Sequence, residues 1–313
     1  MNSKGAENLV MGFATNLEPK RIEIFAKTLR RIYPPDECDL VLYVHTVSDE
    51  LRDLAKKYCI NFTYTYNNYT YSVGKFSKAI NRCIIYPVKW LAKLTRNIPS
   101  LKVIFYDLYP VLIKLWHHPQ IIRFLYYMDF LSANRTYKKI FISDVKDVAF
   151  QAPFFNVISD PGLSVFGEDK IFGTAYWNTL WYRTAYGIDE LKKIEGKEAF
   201  NVGTVLGGFG AVEKFLSLFC GELLKHPFGY VEQAVFNKLY YSGALNKLPV
   251  KAYKNAEILL TIADPIDPLY IKYFKVASGG VYNSNGQLIP IIHMYDRNVE
   301  TLNYFQNIIT SEN

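Results

Sequence analysis

Two aspartates three positions apart, Asp144 and Asp147, follow the run Lys139-Ile-Phe-Ile-Ser143. The run is apolar enough for a buried strand, so the acids stand where that strand leaves its sheet. In an open parallel sheet the carboxyl ends of the strands form the ligand crevice. Two carboxylates there suit a hard divalent cation that shares its remaining positions with phosphate oxygens. They equally suit a turn in which an aspartate caps the next element. A second apolar stretch, Leu288–Ile292, leads into His293, either to bring an imidazole to the same crevice or to bury it as a hydrogen-bonded core histidine. Arg123, Asn201-Val-Gly203-Thr204 and Glu232-Gln233 are further polar groups beside apolar segments. Their structural readings are an ion pair of Arg123 with Asp129 or a surface carboxylate, a glycine turn, and a helix N-terminal charge. Trp177 and Trp181 suit sugar stacking or core packing, and His117-His118 reads as a loop pair before Pro119.

The elements that would position these groups alternate regularly. Asn8–Thr15, Asp39–His45 and Ile60–Tyr66 read as buried strands, with helices over Glu18–Tyr33 and Ser48–Tyr58 between them. Ser48 or Asp49 caps the second helix, and Pro34-Pro35 stops the first. Strand–helix–strand–helix–strand at this rhythm predicts a parallel sheet with right-handed crossovers. A helix over Ile122–Ser132 precedes the Lys139–Ser143 strand. Beyond it the pattern predicts strands at Leu163–Phe166 and Asn201–Gly208 and helices over Val212–Leu224 and Val231–Tyr241. A short strand, Leu288–His293, then precedes a polar tail. With no repeat, low-complexity tract or linker, the 313 residues read as one α/β domain spanning 1–313, ample for a buried core.

The charge is concentrated in one place. From Lys75 to Arg123 there are nine basic residues against one acid, Asp107, giving +8 there; the formal +7 of the whole chain leaves −1 for the rest. This stretch, residues 72–121, reads as a basic helical insertion interrupted by prolines. Lys89, Lys93 and Arg96 share one helical face, with Ile84, Val88, Trp90, Leu91 and Leu94 on the remainder. Such a helix suits either an anionic membrane surface or a core contact with a solvated basic face. No nucleic-acid-binding motif accompanies it, so nucleic acid is not expected as a partner. Neither a leader nor an apolar run of bilayer length is expected. Four scattered cysteines, Cys38, Cys59, Cys83 and Cys220, predict buried free thiols and a reducing cytoplasm. The sequons at Asn61, Asn68 and Asn134 are expected to be unused.

Three segments in order, Arg123-Phe-Leu-Tyr-Tyr-Met-Asp-Phe-Leu131, Asp144-Val-Lys-Asp-Val-Ala-Phe-Gln151 and His293-Met-Tyr-Asp-Arg297, resemble a nucleotide-sugar glycosyltransferase of the GT-A fold. Within that class they are similar to a bacterial-type group with Asp-Val-Lys-Asp and His-x-Tyr-Asp-Arg motifs. The likeness runs from about Leu9 to Arg297, without the basic insertion. It implies a single GT-A-like, Rossmann-type α/β domain with a central, mostly parallel sheet. Ala14, Thr15 and Asn16 would hold the nucleotide, and Arg123 the donor diphosphate or sugar. Asp144, Asp147 and His293 would hold Mn2+ or Mg2+. Asn201, Gly203 and Thr204 would face the donor sugar or the acceptor, with Gln233 on the acceptor side. Glu232 would be the base if the transfer inverts configuration. The class pattern is Asp-x-Asp; here Lys146 stands at the second acid's place, leaving either a displaced metal ligand in Asp147 or direct neutralisation of the diphosphate by Lys146. Arg297 would add positive charge. The expected partners are a UDP-sugar and a glycan or lipid-linked acceptor, at the inner face of a membrane. A different class of function, motivated by Lys146, is a non-catalytic, membrane-associated nucleotide- or glycan-binding protein on a decayed scaffold of this kind.

Overall fold

The computed structural model describes residues 5–66, 108–115, 117–157, 162–226, 231–262 and 274–310. Between the first two ranges it also describes Cys83, Tyr86, Pro87, Val88, Trp90, Leu91, Leu94 and Ile98. Most of the 72–121 insertion and the sequon at Asn68 lie outside the described residues.

The first half follows the alternation of the sequence. Strands β1 (Asn8–Phe13), β2 (Cys38–Val44) and β3 (Ile60–Tyr64) pair in parallel, joined by helices α1 (Pro19–Arg30) and α2 (Asp49–Tyr58). The Ser48 hydroxyl caps α2 by accepting from Leu51 N–H at 3.3 Å. Acids fill the first turn of α2 and lysines its last, in keeping with the helix dipole. Helix α3 (Pro119–Ala133) starts earlier than the sequence pattern suggested, because Pro119 sits in its first turn, where no N–H is needed. His118 is its N-cap, its Nδ1 accepting from Gln120 N–H, so the histidine pair is more than a loop.

Strand β4 (Lys139–Asp144) returns to the other side of β1, again parallel, in the register Phe13↔Asp144. The chain thus leaves β1 toward β2 on one side and toward β4 on the other, which opens a crevice at their carboxyl ends. Beyond β4 the sheet changes direction. Strand β7 (Glu198–Gly208) runs antiparallel to β4 and to β6 (Leu163–Ile171), and β8 (Val250–Tyr253) closes the edge parallel to β6. The seven-stranded order is β3-β2-β1-β4-β7-β6-β8. Helices α4 (Tyr176–Tyr186) and α5 (Ile188–Lys192) lie in chain order between β6 and β7. After β7 come α6 (Phe209–Leu223) and α7 (Glu232–Tyr241). Apolar clusters cover both faces of the sheet: Phe124, Tyr127, Phe215 and Phe219 in one, Phe25, Phe141, Phe150 and Phe154 in the other.

A second, three-stranded sheet is not evident from sequence. Strand β5 (Val148–Phe150) pairs antiparallel with β12 (Ile291–His293), which follows the antiparallel pair β10 (Phe274–Ala277) and β11 (Gly280–Asn283) and pairs in parallel with β9 (Leu259–Thr261). Each strand of the three-stranded sheet is only three residues long, too short for periodicity to register. The chain after His293 is a helix, α8 (Val299–Thr310), and not the polar tail expected. Phe305 and Ile308 of α8 join Ile24 of α1 in a third core cluster. The expectation of buried thiols holds for Cys38 and Cys220 only; Cys59 and Cys83 are exposed.

Candidate active site

The end of β4, the start of β7 and the end of β12 meet at one point. Asp144 leaves β4 half-buried, Asp147 follows it into the interior, and β12 delivers His293 with 2% of its side chain exposed. His293 Nε2 lies 3.5 Å from Asp144 Oδ2 and 3.9 Å from Asp147 Oδ1. Ligand atoms of the three residues all fall within 4.8 Å of one another. Asn201 Nδ2 lies 2.7 Å from His293 Nδ1, and Thr261 Oγ1 lies 3.3 Å from the same nitrogen. The ring is therefore held through Nδ1, and Nε2 faces the carboxylates with no hydrogen-bond partner of its own. The two tautomers use Nδ1 differently: with the proton on Nε2, Nδ1 accepts from Asn201 Nδ2, whereas coordination through Nε2 needs the proton on Nδ1, directed at Thr261 Oγ1. A buried nitrogen without a partner, turned to two carboxylate oxygens, fits a divalent cation with mixed oxygen and nitrogen ligands.

Strand β7 makes room for this cluster. A Cβ on Gly203 would overlap the Asp144 carboxylate, so glycine is required by close approach and not by a turn. Asn201 Oδ1 accepts from Thr204 N–H at 3.2 Å, which fixes the amide that holds His293. Thr204 Oγ1 is buried and without a partner.

Arg123 reaches the cluster from the first turns of α3. Its guanidinium pairs with Asp144 and not with Asp129, which is taken by Lys114. Burial opposes the Asp144 charge, but Arg123 and His293 outweigh it and hold the carboxyl at about 2. Burial raises Asp147, and the nearby Asp144 and Asp296 add to the rise against His293. Burial would lower His293, yet the surrounding carboxylates, Asp144, Asp147 and Glu168, raise it overall.

Glu232 opens α7 with one oxygen buried and unpartnered. Burial pushes it up to about 7, with Arg123 opposing. Its neighbour Gln233 donates from Nε2 to Glu168 Oε2 at 2.6 Å and to Asn178 Oδ1 at 3.1 Å. Ala14, Thr15 and Asn16 form the turn after β1; Ala14 N–H donates to Tyr43 O, and Asn16 has a φ of 58°. Lys146 and Arg297 are both exposed, and Arg297 Nε lies 3.9 Å from Asp296 Oδ1.

Two groups escaped the sequence reading. Glu168 lies on β6 beyond Phe166, where the apolar pattern ended although the strand runs to Ile171. Arg21 reads as a solvated residue of α1, yet its guanidinium pairs with Asp296 at 3.2 Å and donates to Tyr295 OH at 3.3 Å. Tyr295 N–H in turn donates to Asp147 O at 3.3 Å, which ties the acid's backbone to the segment after β12. Nothing in the spacing of Glu168 or Arg21 marks them, whereas Tyr295 stands inside the His293–Arg297 motif.

No protein-family model matches the sequence, and no curated protein matches it. Solved structures do. An active-site mutant of LgtC superimposes with a TM-score of 0.51 over 97% of this chain and 95% of that one, at 12% identity. The galactosyltransferase LgtC in complex with donor and acceptor sugar analogues gives 0.50 over the same shares, at 13% identity. The chain has the GT-A-like glycosyltransferase fold. At such identities the likeness extends to the fold, and the chemistry rests on the residues above.

Proposed function

We propose that the chain transfers a glycosyl group from a nucleoside-diphosphate sugar, a UDP-sugar, to a hydroxyl of a glycan or lipid-linked acceptor. The observation that carries this reading is the convergence of Asp144, Asp147 and His293 at the carboxyl end of β4, in a fold shared with LgtC. LgtC has been crystallised with donor and acceptor sugar analogues, which supports a two-substrate crevice of the same kind. Asp144, Asp147 and His293 would hold the metal, and an imidazole among the ligands favours Mn2+ over Mg2+. When bound, the cation supplies Lewis-acid stabilisation of the diphosphate leaving group.

The protein's own residues do the rest. Arg123, buried and fixed by Asp144, presents positive charge where the leaving group gains negative charge. Ala14, Thr15 and Asn16 receive the nucleotide at the end of β1. Asn201, Gly203 and Thr204 line the sugar side, with Gln233 toward the acceptor. Lys146 and Arg297, both exposed, lend charge at the mouth. In an inverting transfer Glu232 takes the acceptor proton; a carboxyl at about 7 is matched to that task near neutral pH. In a retaining transfer the departing phosphate takes the proton and no base is required.

Thermal shift with nucleoside diphosphates, with and without Mn2+, tests the reading, since a ligand of the native state raises its stability. The expected result is stabilisation by UDP that requires the metal. Absence of any nucleotide effect would reject it. Metal-dependent binding with no turnover across a donor panel would leave a nucleotide-binding protein on this scaffold instead. A peripheral position at the inner face of a membrane belongs to the same proposal; among the described residues no helix is long and apolar enough to cross one.

A further inference from the structure

Helix α4 opens at the crevice edge with exposed aromatic side chains. Strand β7 runs antiparallel to both β4 and β6, so β6 ends at the same edge of the sheet as β4, where Asp144 stands. A short turn through Gly173 then starts α4 at Tyr176. Tyr176 is 68% exposed and Trp177 57%. Their rings meet edge to face at 5.0 Å between centroids, and Trp177 stacks on Trp181 at 6.1 Å with 28° between planes. Trp181 is half-buried against the cluster of Phe172, Tyr182 and Ala234. The two readings of the tryptophans thus divide: Trp181 joins the core in part, and Trp177 projects from it. The side chains that seat α4 on the domain are Asn178 and Tyr182, so folding does not require the outward rings.

Polar groups stand at the same helix end. Asn178 donates from Nδ2 to Glu168 Oε2 at 3.4 Å and accepts at Oδ1 from Gln233 Nε2 at 3.1 Å, which sets the first turns of α4 and α7 side by side. Glu168 is one of the carboxylates that act on His293, which ties these groups to the Asp144 cluster. Gln233 Nε2 also donates to Glu168 at 2.6 Å, so both its amide hydrogens are taken and its carbonyl oxygen is left to accept from a hydroxyl. From Ile171 to Tyr182 the sequence carries no charged residue. A nucleotide, a phospholipid headgroup or an acidic peptide would meet no counter-charge on this stretch. A pyranose ring suits it: one face is a patch of C–H groups, drawn to the negative face of an aromatic ring, and its rim of hydroxyls matches the amides alongside. We propose that Tyr176 and Trp177, backed by Trp181, form a platform on which a pyranose ring of an oligosaccharide stacks. Its place on the Gln233 side makes that oligosaccharide the acceptor, a step that rests on the proposed transfer. A lipid-linked acceptor would then be recognised through its sugars.

Binding of the full chain to an array of immobilised neutral oligosaccharides, read with and without UDP and Mn2+, tests the platform. Wild type should be retained on a subset of the glycans. On the best of them Trp177→Ala should weaken binding roughly five- to tenfold, and Trp177→Phe, which keeps a ring, should stay within about threefold of wild type. Trp177→Ala should melt as wild type does without ligand, because more than half of Trp177 is exposed, and it should keep the thermal shift with UDP and Mn2+. Glycan binding that depends on Trp177 in a protein showing no UDP shift would leave the platform standing and remove the transfer. No retention on any glycan in either condition, or equal retention of Trp177→Ala and wild type, would overturn the proposal. So would a wild-type dimer that Trp177→Ala makes monomeric while glycan binding persists unchanged, since the rings would then cover a second copy.

Discussion

On the β4 side of the crevice Asp144 faces both Arg123 and His293; on the α7 side Glu232 faces Arg123 with one oxygen lacking any hydrogen bond. Both carboxyls are buried enough for desolvation to be the foremost influence. One stays ionised down to about 2 and the other takes up a proton near 7. The difference lies in the positive neighbours and the hydrogen bonds they make to Asp144, which is also the more exposed of the two. Burial raises Asp147, with His293 as its counter-charge and Asp144 and Asp296 adding to the rise. Burial alone therefore does not make a carboxylate a metal ligand or a base. The partners sort them, one side prepared to hold a cation and the other a proton.

The largest effect expected comes from removing a cation ligand. Asp147→Ala should abolish the Mn2+-dependent thermal shift with UDP. It should leave the unliganded protein near wild-type stability, because Asp147 is buried at a cost that alanine does not bear. An unchanged metal-dependent shift would take Asp147 out of the site.

Arg123→Met attacks the comparison at its shared member. The guanidinium serves Asp144 and Glu232 together, so its loss leaves Asp144 buried with His293 alone. Breaking a buried pair from one side costs about 3–5 kcal/mol. Urea unfolding at neutral pH should register that loss. A cost below about 1 kcal/mol would mean that solvent already screens the pair, as it does for exposed ion pairs.

Glu232→Gln tests the other side, and its sign is opposite. A carboxyl raised from 4.5 to about 7 in the folded state stabilises the fold below 4.5, and that contribution is lost as pH rises through about 7. The glutamine variant carries no such loss, so above pH 7 it should be the more stable of the two, by at most about 3 kcal/mol. Below pH 4.5 the two should coincide. If Glu232 is the base of an inverting transfer, wild-type turnover rises through pH 7 and the variant has little turnover at any pH. Turnover retained in the variant would assign Glu232 to stability alone.

The two halves of the fold were not equally legible. Strands β1 to β4 and their helices announce themselves through long apolar runs, a serine cap and proline stops, and the pair Asp144 and Asp147 is visible because it ends such a run. His293 is visible for the same reason, yet what holds it is not: Asn201 and Thr261 come from strands distant in sequence, and β9 is three residues long. Glu168 is hidden because β6 continues two-sided and polar beyond its apolar start. Arg21 is hidden because its helical face reads as solvent until Tyr295 and Asp296 meet it. Local periodicity reports burial against the nearest sheet. It carries no information about which distant strand brings a partner.

The smallest effect is also the cleanest test of where the crevice ends. Thr204 is buried, and its hydroxyl has no hydrogen-bond partner although Asn201 accepts from its backbone N–H. Valine has nearly the same shape without the oxygen. In the free protein Thr204→Val removes a buried polar atom that makes no bond, so stability should rise slightly or hold, within about 1 kcal/mol. The backbone hydrogen bond to Asn201, and with it the seat of His293, should be untouched. A role for the hydroxyl in holding a substrate would therefore appear only when substrate is present: affinity for the nucleotide sugar falls by about fivefold, as for loss of one neutral hydrogen bond, while affinity for UDP with Mn2+ stays constant. Equal affinity of both proteins for UDP and for the nucleotide sugar would place Thr204 in the wall of β7 and move the sugar side of the crevice onto Asn201 and Gly203.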